Sequence, residues 1–401
     1  MRAATGLSLV LSLVGLSVGG AAQAATYNVK VCAELTTDYS TIGGNDDFYT
    51  DNSAKPARGV LMTVVSNTGT VAWSGHTTEE GADAGCTSTL SLSSSKSYSV
   101  KILAEADIYG NMVEVYDDST TPAMWASSTQ VFTPTASTTK TFSWGPHQAW
   151  NILSAAGFAL QRRDAGLSGE TFTFYTEACA GGGNCYSESS DALFIASDTN
   201  KYVIAHEMGH KIASASNGGA GAAFNYTATS TDCPWTSSGH SITSEEYQSA
   251  AVNEGIASYY AAAIWNRTDE SDCYYTPSYA LDWTQDGVGD SSAEFSCESG
   301  GYAGVDSYDY MGDYCLAVGA VTNRGTQYDW MRFFWDLETD QGLSVTDIFA
   351  IWDEADPDAW TASGAGSGAS FPAYELETAA STLGFSAEWS SQLALDPSAG
   401  R

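Results

Sequence analysis

Tyr27-Asn-Val-Lys-Val-Cys32, Ser97-Tyr-Ser-Val-Lys-Ile-Leu103 and Val113-Glu-Val-Tyr116 alternate apolar and polar side chains, the period-2 mark of strands with one buried face. Ser, Thr, Gly and Asp clusters separate such runs at turn-like intervals up to about residue 144. Strands of this kind bury their apolar faces against each other as an antiparallel β-sandwich. After Trp144-Gly-Pro146 the period changes. Trp150, Ile152, Leu153, Ala156, Phe158 and Leu160 predict a helix over 147–161. Thr171–Tyr175 and Ala192–Ala196 are strand candidates, the second a candidate edge for pairing with an extended peptide. Asp198 or Thr199 can cap a helix that runs to about Ser214. Thr243-Ser-Glu-Glu246 has the form of a capping box for another that runs to about Trp265. Glu245 and Glu246 would lie in its first turn, where the helix dipole favours acids. Amphipathic helical segments follow at 328–338, 345–354 and 373–383.

This order predicts an α+β multidomain chain. Residues 25–145 form the β-sandwich, and residues 146–401 form a second domain whose C-terminal part is mostly helical. Residues 1–24 read as an export signal: Arg2, an apolar run from Gly6 to Val18, and the small-x-small site Ala22-Gln23-Ala24. A secreted protein without membrane insertion is expected, because no run is long enough to span a bilayer.

Charge removes whole classes of partner. With 15 Lys and Arg against 48 Asp and Glu, the net charge is −33, and nucleic acid or an anionic lipid surface needs the opposite sign. Eight cysteines behind an export signal read as a disulfide framework. Their grouping suggests Cys32 with Cys86, Cys179 with Cys185, Cys233 with Cys273, and Cys297 with Cys315. Two sequons, Asn225-Tyr-Thr and Asn266-Arg-Thr, matter only in a source that glycosylates. His76 and His147 lack nearby ligand partners and read as surface or linker histidines. Asp282, Asp286 and Asp290 offer oxygens for a Ca2+ ion, but the spacing is not that of an EF-hand and a solvated acidic loop is the better reading.

The chemistry concentrates at His206-Glu207-Met208-Gly209-His210, which holds two of only five histidines. On a helix the i, i+4 spacing stacks both imidazoles on one face, where they reach one tetrahedral metal such as Zn2+. Glu207 stands beside them as a general base. A zinc site needs a third ligand. The metzincin extension would need Gly and His where Ala213 and Ser216 stand, and the aspzincin signature fails because Tyr328 occupies the position of its Asp. Further on, Glu254 shares a helical face with Ala250, Ala251, Ala257, Ser258 and Ala261. A lone carboxylate among small residues needs a partner: a cation from a facing helix, or else backbone or Arg. His240, in the interval before it, is the rival ligand.

Asn253-Glu254-Gly255-Ile256-Ala257-Ser258-Tyr259 resembles the N-E-G-[FW]-A-x-[YF] element of gluzincins, especially the aminopeptidase-N-like group. The resemblance covers roughly 190–320 and implies a zincin-type catalytic domain with His206, His210 and Glu254 as metal ligands. It also implies an oxyanion-stabilising side chain. Asp306-Ser-Tyr-Asp-Tyr-Met-Gly312 is loosely similar to the family's tyrosine element, which makes Tyr310 the first choice, with Tyr308 and His240 as alternatives. The Lys of that element is missing, as is the family's G-x-M-E-N amine-binding segment. Residues 59–104 loosely resemble transthyretin-like or immunoglobulin-like modules. The implied activity is secreted zinc-dependent hydrolysis of a peptide or protein substrate, with Glu207 passing a proton from the attacking water to the leaving amine. The alternative is an inactive metal-binding or adhesin-like surface protein on the same scaffold.

Overall fold

The computed structural model describes residues 24–40, 51–217, 224, 242, 244–268, 273–275, 295–296, 324–357, 360 and 372–396. The fold is mixed α+β with a strand-rich N-terminal part. Its strands in that part are β1 (Thr26–Leu35), β2 (Lys55–Pro56), β3 (Val60–Ser66), β4 (Val71–His76), β5 (Leu90–Ser93), β6 (Tyr98–Ile108), β7 (Asn111–Tyr116), β8 (Gln130–Phe132) and β9 (Thr138–Trp144). Then come α1 (Gln148–Arg162), β10 (Thr171–Tyr175), β11 (Cys185–Ser187), β12 (Ala192–Phe194) and α2 (Lys201–Ser216). β13 (Glu246–Tyr247) leads into α3 (Gln248–Trp265), and β14 (Tyr274–Tyr275), β15 (Phe295–Ser296) and β16 (Arg324–Gly325) precede the last helices. These are α4 (Gln327–Thr339), α5 (Val345–Glu354), α6 (Pro372–Leu383) and α7 (Ser386–Leu395).

Strand alternation is carried through into burial: along β6, Tyr98, Val100, Ile102, Ala104, Ala106 and Ile108 point inward while their neighbours do not. Two sheets result. One has the order β2-β1-β5 with β9 alongside β1, and the other runs β11-β12-β10-β7-β6-β3-β4 with β8 alongside β6. The expected antiparallel arrangement is broken at β1 and β9, which run parallel from Val29/Thr138 to Leu35/Trp144. β10 also runs parallel to both β7 and β12. Parallel neighbours need a crossover, and α1 lies between β7 and β10 in sequence and packs on β6 and β7. A Cβ on Gly157 of α1 would lie 3.9 Å from the Ile108 side chain. The division expected at residue 145 thus falls inside one sheet and one buried apolar cluster.

The helical half is built around α3. Every residue from Gln248 to Trp265 is buried, as expected of a helix packed on all sides. α2 lies against it where Gly209 faces Ala257, and α4 lies against it where Gly255 faces Trp330. Asn200 rather than Asp198 or Thr199 caps α2, its side chain accepting from the Tyr202 and Val203 amides. α3 begins later than its apparent capping box. Glu246 and Tyr247 are extended, pairing with Gly325 and Arg324, so Glu245 and Glu246 are buried ahead of the helix rather than exposed in its first turn. At the other end Asn266 is 0% exposed and its Nδ2 donates to the Ala262 carbonyl. That sequon is a helix cap, closed to glycosylation in the folded chain.

Two expected disulfides are present, Cys32–Cys86 and Cys179–Cys185. Cys273 is also disulfide-bonded; Cys233, Cys297 and Cys315 lie outside the described residues, as do residues 1–23 of the expected signal. Disulfides are compatible with an extracellular protein. Among the described residues no helix is long and apolar enough to cross a membrane. β12 has no free edge, since β11 pairs with it on one side and β10 on the other. The edge position expected for Ala192–Ala196 belongs to β11.

Candidate metal centre

α2 presents His206 and His210 one turn apart, and α3 presents Glu254 opposite them. Close approach makes the meeting feasible: a Cβ on Gly209 would lie 2.7 Å from the Ala257 Cα, so only glycine lets the two backbones come so near. The three donor atoms form a nearly equilateral triangle. His206 Nε2 is 3.1 Å from Glu254 Oε2, His210 Nε2 is 3.4 Å from the same oxygen, and the two nitrogens are 3.2 Å apart. Among the described residues this is the group of His, Cys, Asp and Glu side chains that can hold a metal ion. Tetrahedral bonds of zinc length imply ligand separations of about 3.3 Å. The triangle fits.

Behind His206, Nδ1 meets a hydroxyl network while Nε2 faces the triangle. Ser258 Oγ lies 3.1 Å from His206 Nδ1, accepts from Gln327 Nε2 at 2.6 Å, and donates to Tyr275 Oη at 3.1 Å. With its proton on Tyr275 and one lone pair on Gln327, the hydroxyl keeps a lone pair for His206 Nδ1–H, the tautomer that leaves Nε2 free to bind a metal. His206 Nε2 then carries a lone pair directed at a carboxylate oxygen. Two acceptors at 3.1 Å repel unless a cation or proton lies between them. Tyr275 is fully buried in this network, and burial raises its hydroxyl well above the ordinary tyrosine value, so it stays protonated. Removal of such an outer partner costs about 10–100-fold in metal affinity, so Ser258→Ala is expected to weaken metal binding by that factor. A competitive chelator titration checks it, and unchanged affinity would show that Ser258 does not brace the ligand.

Glu207 is 7% exposed, and its Oε2 accepts the Tyr186 backbone N–H at 2.9 Å. Burial pushes its carboxyl above the usual carboxylate range; the imidazoles of His206 and His210 pull it down, the Glu254 charge pushes it up, and the Tyr186 amide pulls it down. A raised carboxyl is suited to proton transfer near neutral pH. Oε1 bonds to no described residue.

The structure therefore brings together three sequence-predicted residues, His206, His210 and Glu254, with Glu207 close enough to feel the charge of each. Tyr308, Tyr310, His240 and the acidic group Asp282, Asp286 and Asp290 lie outside the described residues, as does Asn225. His76 bonds Glu105 at 3.0 Å, and His147 caps α1 by accepting the Ala149 amide. Neither belongs to the centre. Sequence reasoning noted Ser258 only as a small residue on the face of Glu254. Tyr186, Tyr275 and Gln327 carried no signal, because their contacts arise from tertiary packing. No protein-family model matches this chain, and no curated protein matches it at a significant level.

Proposed function

We propose that this chain is an exported zinc-dependent peptidase of the gluzincin type, with a zincin-type catalytic half built from α2, α3 and their neighbours. The observation that carries the reading is the triangle of His206, His210 and Glu254 donor atoms, with edges of 3.1 to 3.4 Å, beside a buried glutamate. Two imidazoles and one carboxylate leave the fourth tetrahedral position open, the pattern of catalytic rather than structural zinc. When bound there, zinc supplies Lewis acidity toward water and the scissile carbonyl.

The protein's own part is proton handling and alignment. Glu207 keeps Oε1 available while Oε2 is held by Tyr186, so the carboxylate can take a proton from the attacking water and return it to the leaving amine. The helix-to-helix grip sets the ligands, and the Ser258 network sets the orientation of His206. A peptide or protein is the substrate class, and the disulfides suit action outside the cell.

Metal content and turnover test this together. The purified chain is expected to hold one zinc ion and to hydrolyse casein or short peptide amides. Glu207→Gln is expected to keep the zinc and lose roughly 10²–10⁴-fold in kcat. Absence of stoichiometric zinc, or full activity in Glu207→Gln, removes the proposal.

A further inference from the structure

Glu207, Lys211 and Ser214 follow one another along one face of α2 at i, i+4 and i+7, and all three are bonded to one short piece of chain. Glu207 Oε2 accepts the Tyr186 amide at 2.9 Å. Lys211 Nζ donates to Asp191 Oδ1 at 2.6 Å. The Tyr186 hydroxyl lies 2.9 Å from the same Asp191 oxygen and 3.2 Å from Ser214 Oγ. A carboxylate only accepts, so the phenol donates to Asp191 and accepts a hydrogen bond from the Ser214 hydroxyl. Tyr186 thus grips α2 at two points, through its backbone at Glu207 and through its ring oxygen at Ser214.

The strand that carries it is itself held. In the β11 ladder Cys185 pairs with Phe194 and Ser187 with Ala192, while the Tyr186 amide turns away from β12 toward Glu207. Cys185 is bonded to Cys179, and Asn184 Oδ1 accepts the Ala196 and Ser197 amides at 2.8 and 3.1 Å. These ties suspend a backbone donor at a fixed place beside the metal centre.

We infer that Tyr186, on the strand that leaves the loop closed by Cys179–Cys185, is a positioning residue that holds Glu207 so that its second oxygen faces the attacking water. The inference rests on the peptidase reading above and adds to it how the general base is aligned. With Oε2 anchored, rotation of the carboxylate is blocked and Oε1 is the oxygen left for proton transfer. If the anchor loosens, the base swings while the ligand triangle, braced from α3 at Ser258, stays in place.

The test compares Tyr186→Phe and the double variant Cys179→Ser/Cys185→Ser with wild type. Misplacing a catalytic group by a fraction of an ångström to one ångström is costly, so kcat is expected to fall by on the order of 10-fold, with KM and zinc affinity within about twofold of wild type. A second readout needs no activity. Hydrogen exchange at the Tyr186 amide of metal-free protein is expected to accelerate in both variants and in Glu207→Ala, which removes the acceptor. Should Tyr186→Phe fail to fold, Ser214→Ala, which removes the other partner of that hydroxyl, is read in its place. Unchanged kcat in an active background, an amide indifferent to Glu207→Ala, or zinc affinity falling in step with kcat each overturns the inference alone. A wild type inert toward every peptide removes the peptidase reading and this inference with it.

Discussion

Glu254→Gln is expected to lower zinc affinity on the order of 10³-fold, beyond the 10–100-fold that follows loss of an outer partner. Glu254 is 7% exposed and lies 3.1 and 3.4 Å from the two histidine nitrogens. Its carboxylate is the anionic member of the donor triangle. The amide keeps the volume but removes the charge, and in a buried site the attraction lost is several times what it would be in water. The backbone has no reason to change, because the substitution is nearly isosteric and α3 is buried along its whole length. Competition with a chromophoric chelator measures the loss, and circular dichroism checks the fold. His240 gives the experiment its second arm. If His240→Ala removes zinc binding and Glu254→Gln leaves it unchanged, the third ligand is the histidine and the two-helix grip is not the metal site.

Much of this centre was legible in the chain because its core is local. An i, i+4 histidine pair is a property of one helix, and the face shared by Glu254, Ala257 and Ser258 is a property of another. The requirement that a carboxylate among alanines find a partner follows from solvation alone. What could not be read was everything set by the third dimension. Ser258 reaches His206 across 52 residues, and Tyr275 reaches it across 69. Tyr186 sits in a three-residue strand with no sequence mark of its nearness to Glu207.

The fold divides along the same line. Alternation located β1, β6 and β7, and helical spacing located α1, α4, α5 and α6 within a few residues, because inward and outward faces are written in the period. Strand partners are not. A strand such as Thr171–Tyr175 shows which side chains are buried but not that β7 will be its neighbour, so a boundary at residue 145 looked natural where the sheet in fact continues. The start of α3 was misplaced for a related reason. Thr243-Ser-Glu-Glu246 satisfies the local capping pattern, but Glu246 and Tyr247 are held extended by pairing with Gly325 and Arg324.

Gly209→Ala is expected to separate the metal ligands without touching any of them. Within a helix, alanine is favoured over glycine by about 1 kcal/mol, so on propensity alone the change would stabilise α2. Space decides otherwise. The added Cβ would lie 2.7 Å from Ala257 Cα, 3.0 Å from its carbonyl oxygen and 3.2 Å from its Cβ. These are backbone atoms and a short side chain that cannot rotate away. Restoring ordinary contact, near 3.5–4.0 Å, requires α2 and α3 to part by about 1 Å, and overpacking of this kind costs about 1–3 kcal/mol. His206 and His210 move together because both ride on α2, while Glu254 stays with α3. Metal sites tolerate about 0.2 Å in ligand distance, so the parting is expected to reduce zinc affinity by on the order of 10²-fold. Gly255→Ala is the control: its Cβ would meet Trp330 on α4, which opens the opposite side of α3. It is expected to lose comparable stability in urea but much less zinc affinity, through Gln327 and Ser258 alone. If Gly209→Ala binds zinc as wild type does, the closeness of α2 and α3 is not what assembles the site; if it loses zinc while Gly255→Ala at equal stability does not, the helix spacing at Ala257 is the element that sets the metal geometry.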